Sequence, residues 1–271
     1  MATQPVRPAA VAGLFYPADP HTLRAQLHTL LSQAGPVAGQ SVPKALIVPH
    51  AGYIYSGPIA ASAYALLAPL REVIRRVILI GPSHRVAFAG AALPGCSAFA
   101  TPLGQVEIDS EAVFALARQP GVVFDDRAHV QEHALEVQLP FLQTMLDHFK
   151  ILPLSLGMIE PQAVADLLET VWGGPETLIV ASSDLSHYHA YAEAQTTDQG
   201  AVAQILAGSQ ALKLDQACGA TAINALMLAA GRHQLAAHLL DLRNSGDTAG
   251  DRTRVVGYAA ISFTPQQRQT H

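Results

Sequence analysis

Short apolar runs rich in β-branched residues recur along this chain, separated by stretches with helical spacing. That alternation commits it to strands and helices built around a buried sheet. Three of the runs end alike. Lys44-Ala-Leu-Ile-Val-Pro leads into His50, Arg76-Val-Ile-Leu-Ile-Gly-Pro-Ser into His84, and Thr177-Leu-Ile-Val-Ala-Ser-Ser-Asp-Leu-Ser into His187. Such runs read as strands buried on both faces. In an open parallel sheet, ligands bind beyond the carboxyl ends of the strands. One histidine there is more often a solvated loop residue, but three together point to a metal or acid–base site.

Between the runs the punctuation is clear. Asp19-Pro20 reads as an N-cap and first-turn proline, with Leu23, Leu27, Leu30 and Leu31 on one helix face, followed by a loop from Gly35 to Pro43. Strands are expected at Ala45–Val48, Val77–Ile80, Val122–Phe124, Ile151–Leu156 and Thr177–Ala181. Ser56 is expected to cap a helix, and turns at Pro94-Gly95 and Leu103-Gly104 to shape a hairpin. Asp109 or Ser110 starts a helix with Val113, Phe114 and Ala117 inward. A helix from His133 to Phe149 contains Pro140, which kinks it or marks its true start. Another helix spans Pro161–Val171, and two more cover Tyr191 to Gly231. Two final strands, Leu235–Leu242 and Val255–Phe263, pair antiparallel at a sheet edge. The expected fold is one α/β domain over residues 1–271: a three-layer αβα sandwich with a mainly parallel central sheet and antiparallel edge strands.

Half of the 271 residues are hydrophobic and 14% are charged, with a net charge of −5, so a sizeable core is available. No Lys/Arg-rich stripe offers a nucleic-acid surface. No apolar run is long enough to span a bilayer, and the opening residues lack the apolar core of a signal peptide, so a cytoplasmic chain is expected. Cys96 and Cys218 do not form a disulfide framework.

Several residues can carry chemistry. Tyr53 and Tyr55 can flank a pocket near His50 or serve as packing residues. Ser83 can orient a ligand beside His84, while Arg85 reads as solvated. Asp184 precedes His187 by one turn and can orient its ring or raise its pKa as a general acid–base pair, or it can cap a helix. Cys218 is the best soft ligand: a helix beginning near Asp215 would put it in the first turn, where a thiolate is stabilised. The other reading is a small buried hydrophobe. Glu132, His133 and Glu136 do not form a His-Glu-x-x-His zinc motif.

Val48-Pro-His-Ala-Gly-Tyr, Gly81-Pro-Ser-His, Glu132-His-x-x-Glu-x-x-Leu-Pro, Ser182-Ser-Asp-x-x-His and Cys218-Gly, in that order, resemble the Memo family. Ala12-Gly-x-x-Tyr16 and Tyr258-Ala-Ala also fit, so the likeness runs from about Arg7 to Phe263. The resemblance implies component B of the AmmeMemoRadiSam system, with a radical-SAM protein as partner, and a fold like that of class III extradiol ring-cleavage dioxygenases. It implies His50, His84 and Cys218 as ligands of one iron (Fe2+) or copper (Cu+) ion, with Asp184 and His187 as the neighbouring pair. Glu132 and His133 fall within its motifs, and Phe15 stands at a pocket position where the eukaryotic member has tryptophan. Class III dioxygenases hold Fe(II) with two histidines and a carboxylate. A thiolate in place of the carboxylate favours softer ions while still permitting iron, and is itself oxidisable. The roles this leaves open are a redox-related metal protein, an oxygenase acting on a small-molecule substrate, and a non-catalytic metal-handling partner of a radical-SAM enzyme.

Overall fold

The computed structural model describes residues 5–34 and 42–266. Most of the loop expected from Gly35 to Pro43 lies outside them. In chain order the first half comprises β1 (Val6–Arg7), α1 (Pro20–Gln33), β2 (Ala45–Val48), α2 (Tyr53–Tyr64), β3 (Arg76–Pro82), β4 (Ala91–Leu93), β5 (Ala98–Thr101), β6 (Gly104–Glu107), α3 (Ser110–Leu116), β7 (Val122–Phe124) and α4 (Arg127–Val130). The second half comprises α5 (Leu139–Met145), β8 (Lys150–Leu156), α6 (Pro161–Val171), β9 (Thr177–Ser182), β10 (His187–His189), α7 (Tyr191–Leu206), α8 (Ala220–Arg232), β11 (Leu235–Asn244), α9 (Ser245–Thr248) and β12 (Val255–Pro265).

Among the described residues the main sheet has nine strands, in the order β10-β12-β2-β9-β3-β8-β4-β7, with β11 also paired to β12. Its centre is parallel: β2 with β9, β9 with β3, and β3 with β8. Antiparallel pairs join β12 to β2, β10 and β11 on one side and β4 to β8 on the other. A separate small sheet runs β1-β5-β6.

Alternation along the central strands builds a core on each side. Ile47, Ile78, Ile80, Leu152, Leu154 and Ile179 pack with helices α6, α7 and α8. Leu46, Val48, Val77, Leu79, Leu178 and Val180 pack with α1, α2 and α5 on the opposite face. Successive side chains point to opposite faces of a strand, so a run apolar at every position is what a sheet covered on both sides requires. The result is the expected three-layer α/β arrangement. Among the described residues, no helix is long and apolar enough to cross a membrane.

Several boundaries differ from expectation. Helix α2 starts at Tyr53 with Gly52 as its cap residue, so Ser56 lies inside it and its hydroxyl donates to the Ala51 carbonyl. The Tyr53 N–H is already satisfied by the Phe15 carbonyl at 2.7 Å, which frees the helix start from needing a side-chain cap. No continuous helix runs from His133: a short 3-10 turn at Glu136–Gln138 leads into α5, with Pro140 in its first turn. Proline has no N–H to leave unpaired there, so it marks the start rather than a kink. Phe114 is 64% exposed rather than inward, with the Arg118 guanidinium over its ring. The hairpin is β5–β6 alone, because β4 joins the main sheet beside β8. The closing loop carries α9, held by a reciprocal Asn244–Asp247 capping box.

Candidate metal centre

Parallel register decides what meets at the carboxyl edge of the sheet. Val48 pairs with Ser182 and Ile80 with Ala181, so the segments leaving β2, β3 and β9 emerge side by side. His50 follows β2 by two residues and is 1% exposed. Its backbone N–H donates to Asp184 Oδ1 at 2.7 Å, and that of Ala51 to the same oxygen at 3.3 Å.

The His50 ring is oriented by Ser182. The Ser182 hydroxyl donates its one proton to the Ala134 carbonyl at 2.7 Å and accepts from Gln138 Nε2 at 2.9 Å. With that proton committed, His50 Nδ1, 2.9 Å from Ser182 Oγ, must be the donor. The Nε2 lone pair is thereby free to bind a cation or accept a proton. Cys218 Sγ lies 3.3 Å from that Nε2, with the Asp184 carbonyl 3.7 Å away as a second acceptor.

His84 is set in the same way by Glu132. Its N–H donates to Oε2 at 2.5 Å and its Nδ1 to Oε1 at 2.9 Å, leaving its Nε2 free. Glu132 also receives the N–H groups of His133 and Ala134, each at 2.9 Å. Burial alone would raise this carboxyl, but the His84 ring and the converging N–H groups bring it down to about 2. The chain turn at 132–134 is tied in turn to the first strand. Arg7 donates to the carbonyls of His129 and Glu132 and forms a fully buried ion pair with Glu136 at 2.6 Å.

His133 joins the two rings. It stacks on His84 at 4.7 Å, meets His50 edge-on at 5.3 Å and packs against Phe15 at 4.7 Å. Its Nδ1 is buried and makes no aligned hydrogen bond, although Glu132 Oε1 lies 3.3 Å away. His50, His84 and His133 can each offer one ring nitrogen so that all three lie within 4.8 Å of one another, close enough for a single cation to draw them together. Cys218 touches His50 but is not part of that triad. Burial, reinforced by the neighbouring rings, holds His50 and His133 neutral down to about 3 and about 4, and neutral imidazole is the form that ligates metal.

Other expected residues fall in varied places. Asp184 is buried, which raises its carboxyl, and it faces backbone N–H groups rather than His187. The His187 ring is oriented by the Leu185 carbonyl at 2.8 Å. Among the described residues no hydrogen bond joins the two, because Asp184 is turned toward the β2 end, but the His187 ring is near enough to act electrostatically on the Asp184 carboxyl. Tyr53 lies in the core with its hydroxyl on the Val137 carbonyl, whereas Tyr55 is 38% exposed. Ser83 donates to the Val86 carbonyl in its own loop. Cys218 precedes α8 rather than sitting in its first turn, since Gly219 is the cap residue. Burial, with the nearby Asp184 charge, pushes its thiol up to about 12, so without a cation it is a thiol and not a thiolate.

Sequence reasoning passed over Ser182 and Gln138 as orienting groups and Arg7 as a brace. The available signal was polarity out of place: a serine ending an apolar strand and a glutamine opening an apolar helix, both buried.

The Memo-like protein family model matches residues 7–262. A MEMO1 family protein of Methanopyrus kandleri is 36% identical, aligned over 95% of this chain and 98% of its own length. Those of Archaeoglobus fulgidus and Aquifex aeolicus are each 37% identical, over 95% of this chain and 99% of theirs. The chain belongs to the Memo-like family.

Proposed function

From that membership and the geometry around His50, we propose that the protein holds one iron or copper ion between His50, His84 and Cys218. The observation that carries this reading is the His50 Nε2–Cys218 Sγ approach of 3.3 Å, beside a second ring whose Nδ1 is likewise committed. Two imidazoles and a sulfur suit a soft or borderline ion, and binding would displace the thiol proton. When bound, the ion supplies redox or Lewis-acid chemistry. The protein's part is to hold both rings in the Nδ1–H tautomer, through Ser182 and Glu132, and to keep the inner side of the centre dry. Asp184 fixes the His50 backbone, and His187 stands nearby as the proton-handling group.

A second ligand set is favoured by a separate observation. One nitrogen of each of His50, His84 and His133 lies within 4.8 Å of the others, so the three imidazoles form an alternative cage with Cys218 outside it. Substituting each third ligand separates the two. The first reading expects Cys218→Ser to lower metal affinity and abolish any sulfur-to-metal charge-transfer band, with His133→Ala much milder. The reverse pattern assigns the ion to the three rings.

Oxygenase chemistry on a small molecule and service to a radical-SAM partner are further roles for the same centre. Metal-dependent oxygen uptake supports the first. Reversible metal transfer to a co-purifying partner, without turnover, supports the second.

A further inference from the structure

A cleft of about 580 Å³ opens beside the centre, with His84, Cys218 and Thr221 on its wall. This is within the size range of small-molecule sites. The rest of the wall is mostly apolar, including Phe88 and Ile159, and the rim carries Met158 and Leu214, 74% and 73% exposed. Two large apolar side chains at the mouth of one cleft offer an apolar ligand body a surface to cover. The wall is built rather than loose. A Cβ on Gly157 would sit 2.2 Å from the Phe88 carbonyl, so only glycine lets these two segments touch, and the Met158 N–H donates to that carbonyl at 2.7 Å. Among the described residues, no lysine or arginine lines the cleft, and Glu160 is the one carboxylate there.

We infer that this cleft takes an uncharged ligand with an apolar, flat or branched body and one polar end directed at His84 and Cys218. Along the walls a ligand carboxylate would lose its water with no lysine or arginine to meet it and with Glu160 to repel it, so any attraction to an ion at the centre is opposed over the length of the cleft. An apolar body instead covers Phe88, Met158 and Leu214. The inference rests on the proposed metal centre for the role of the polar end, while the charge preference belongs to the walls.

Calorimetric titration of the anaerobically purified protein with naphthol and with naphthoate near neutral pH tests it, with metal content measured on the same samples. Naphthol is expected to bind at least about tenfold more tightly than naphthoate. Leu214→Asp and Met158→Asp, at exposed positions, should each weaken naphthol severalfold, and Leu214→Lys should narrow the gap by favouring naphthoate. Equal or tighter naphthoate binding, no naphthol binding, or indifference to both rim aspartates would overturn the inference. Metal content that survives such a result leaves the metal reading standing. Loss of metal with the naphthol preference intact removes only that reading.

Discussion

His50 Nδ1 lies 2.9 Å from Ser182 Oγ, and the hydroxyl proton of Ser182 is already given to the Ala134 carbonyl. One serine therefore dictates which nitrogen of His50 remains basic. Ser182→Ala removes the acceptor for both His50 and Gln138 in a buried setting. We expect a stability loss of about 1–3 kcal/mol and roughly a 10–100-fold drop in metal affinity, read by urea denaturation and by chelator competition. Unchanged affinity would mean that the tautomer is set elsewhere.

Acid should weaken the metal-free protein well before Glu132 titrates. Burial depresses His50, His129 and His133 from 6.5 to about 3, about 4 and about 4. Their stabilising contribution is full above the unfolded value of 6.5 and is lost as pH falls toward the folded values, because the unfolded chain then binds more protons. Each imidazole contributes a slope of about 1.4 kcal/mol per pH unit inside that window. Glu132, held down at about 2, adds a further loss only below its ordinary 4.5. Urea midpoints should be flat above about pH 7 and fall steadily toward about pH 5; a flat profile across that interval contradicts the burial argument.

The Arg7–Glu136 pair braces the turn that carries Glu132 and His133. Arg7→Met leaves a carboxylate that is 0% exposed without its cation, while Ala10, Val11 and Tyr16 still donate to it. A loss of about 3–5 kcal/mol is expected. Adding Glu136→Gln removes the stranded charge and should restore part of it. Thermal denaturation of the single and double variants would show this, and a double variant less stable than Arg7→Met would refute it.

Gly219 lets the Cys218 segment lie against the end of β9. A Cβ there would come within 2.6 Å of Ser183 Cβ and 2.7 Å of the Ser182 carbonyl, so the segment must move. Gly219→Ala should weaken metal binding, by shifting Cys218, more than it lowers the melting temperature. Wild-type metal affinity in a folded Gly219→Ala protein would argue against Cys218 as a ligand.

Local patterns were the most legible part of this molecule. Strand Ala45–Val48 and helix Pro161–Val171 occupy the expected residues, since an uninterrupted apolar run and a proline-led amphipathic stretch leave few alternatives. Strand ends bearing His50 and His84 could be read for the same reason: in a parallel sheet, the end of the run is also the edge of the site. What escaped was non-local. Asp184 is three residues from His187 in sequence, yet its carboxylate is taken by N–H groups more than a hundred residues away. The α8 boundary shifted because Ala217 and Ala220 are satisfied by turns before the helix proper. The role of Ser182 depends on Ala134 and Gln138 arriving from another segment, which no local window reveals.

Metal-to-protein ratio after anaerobic purification bears most directly on the central claim. Wild type should carry one iron or copper ion per chain, and a folded His50→Ala/His84→Ala protein almost none. Equal metal in the two would contradict it.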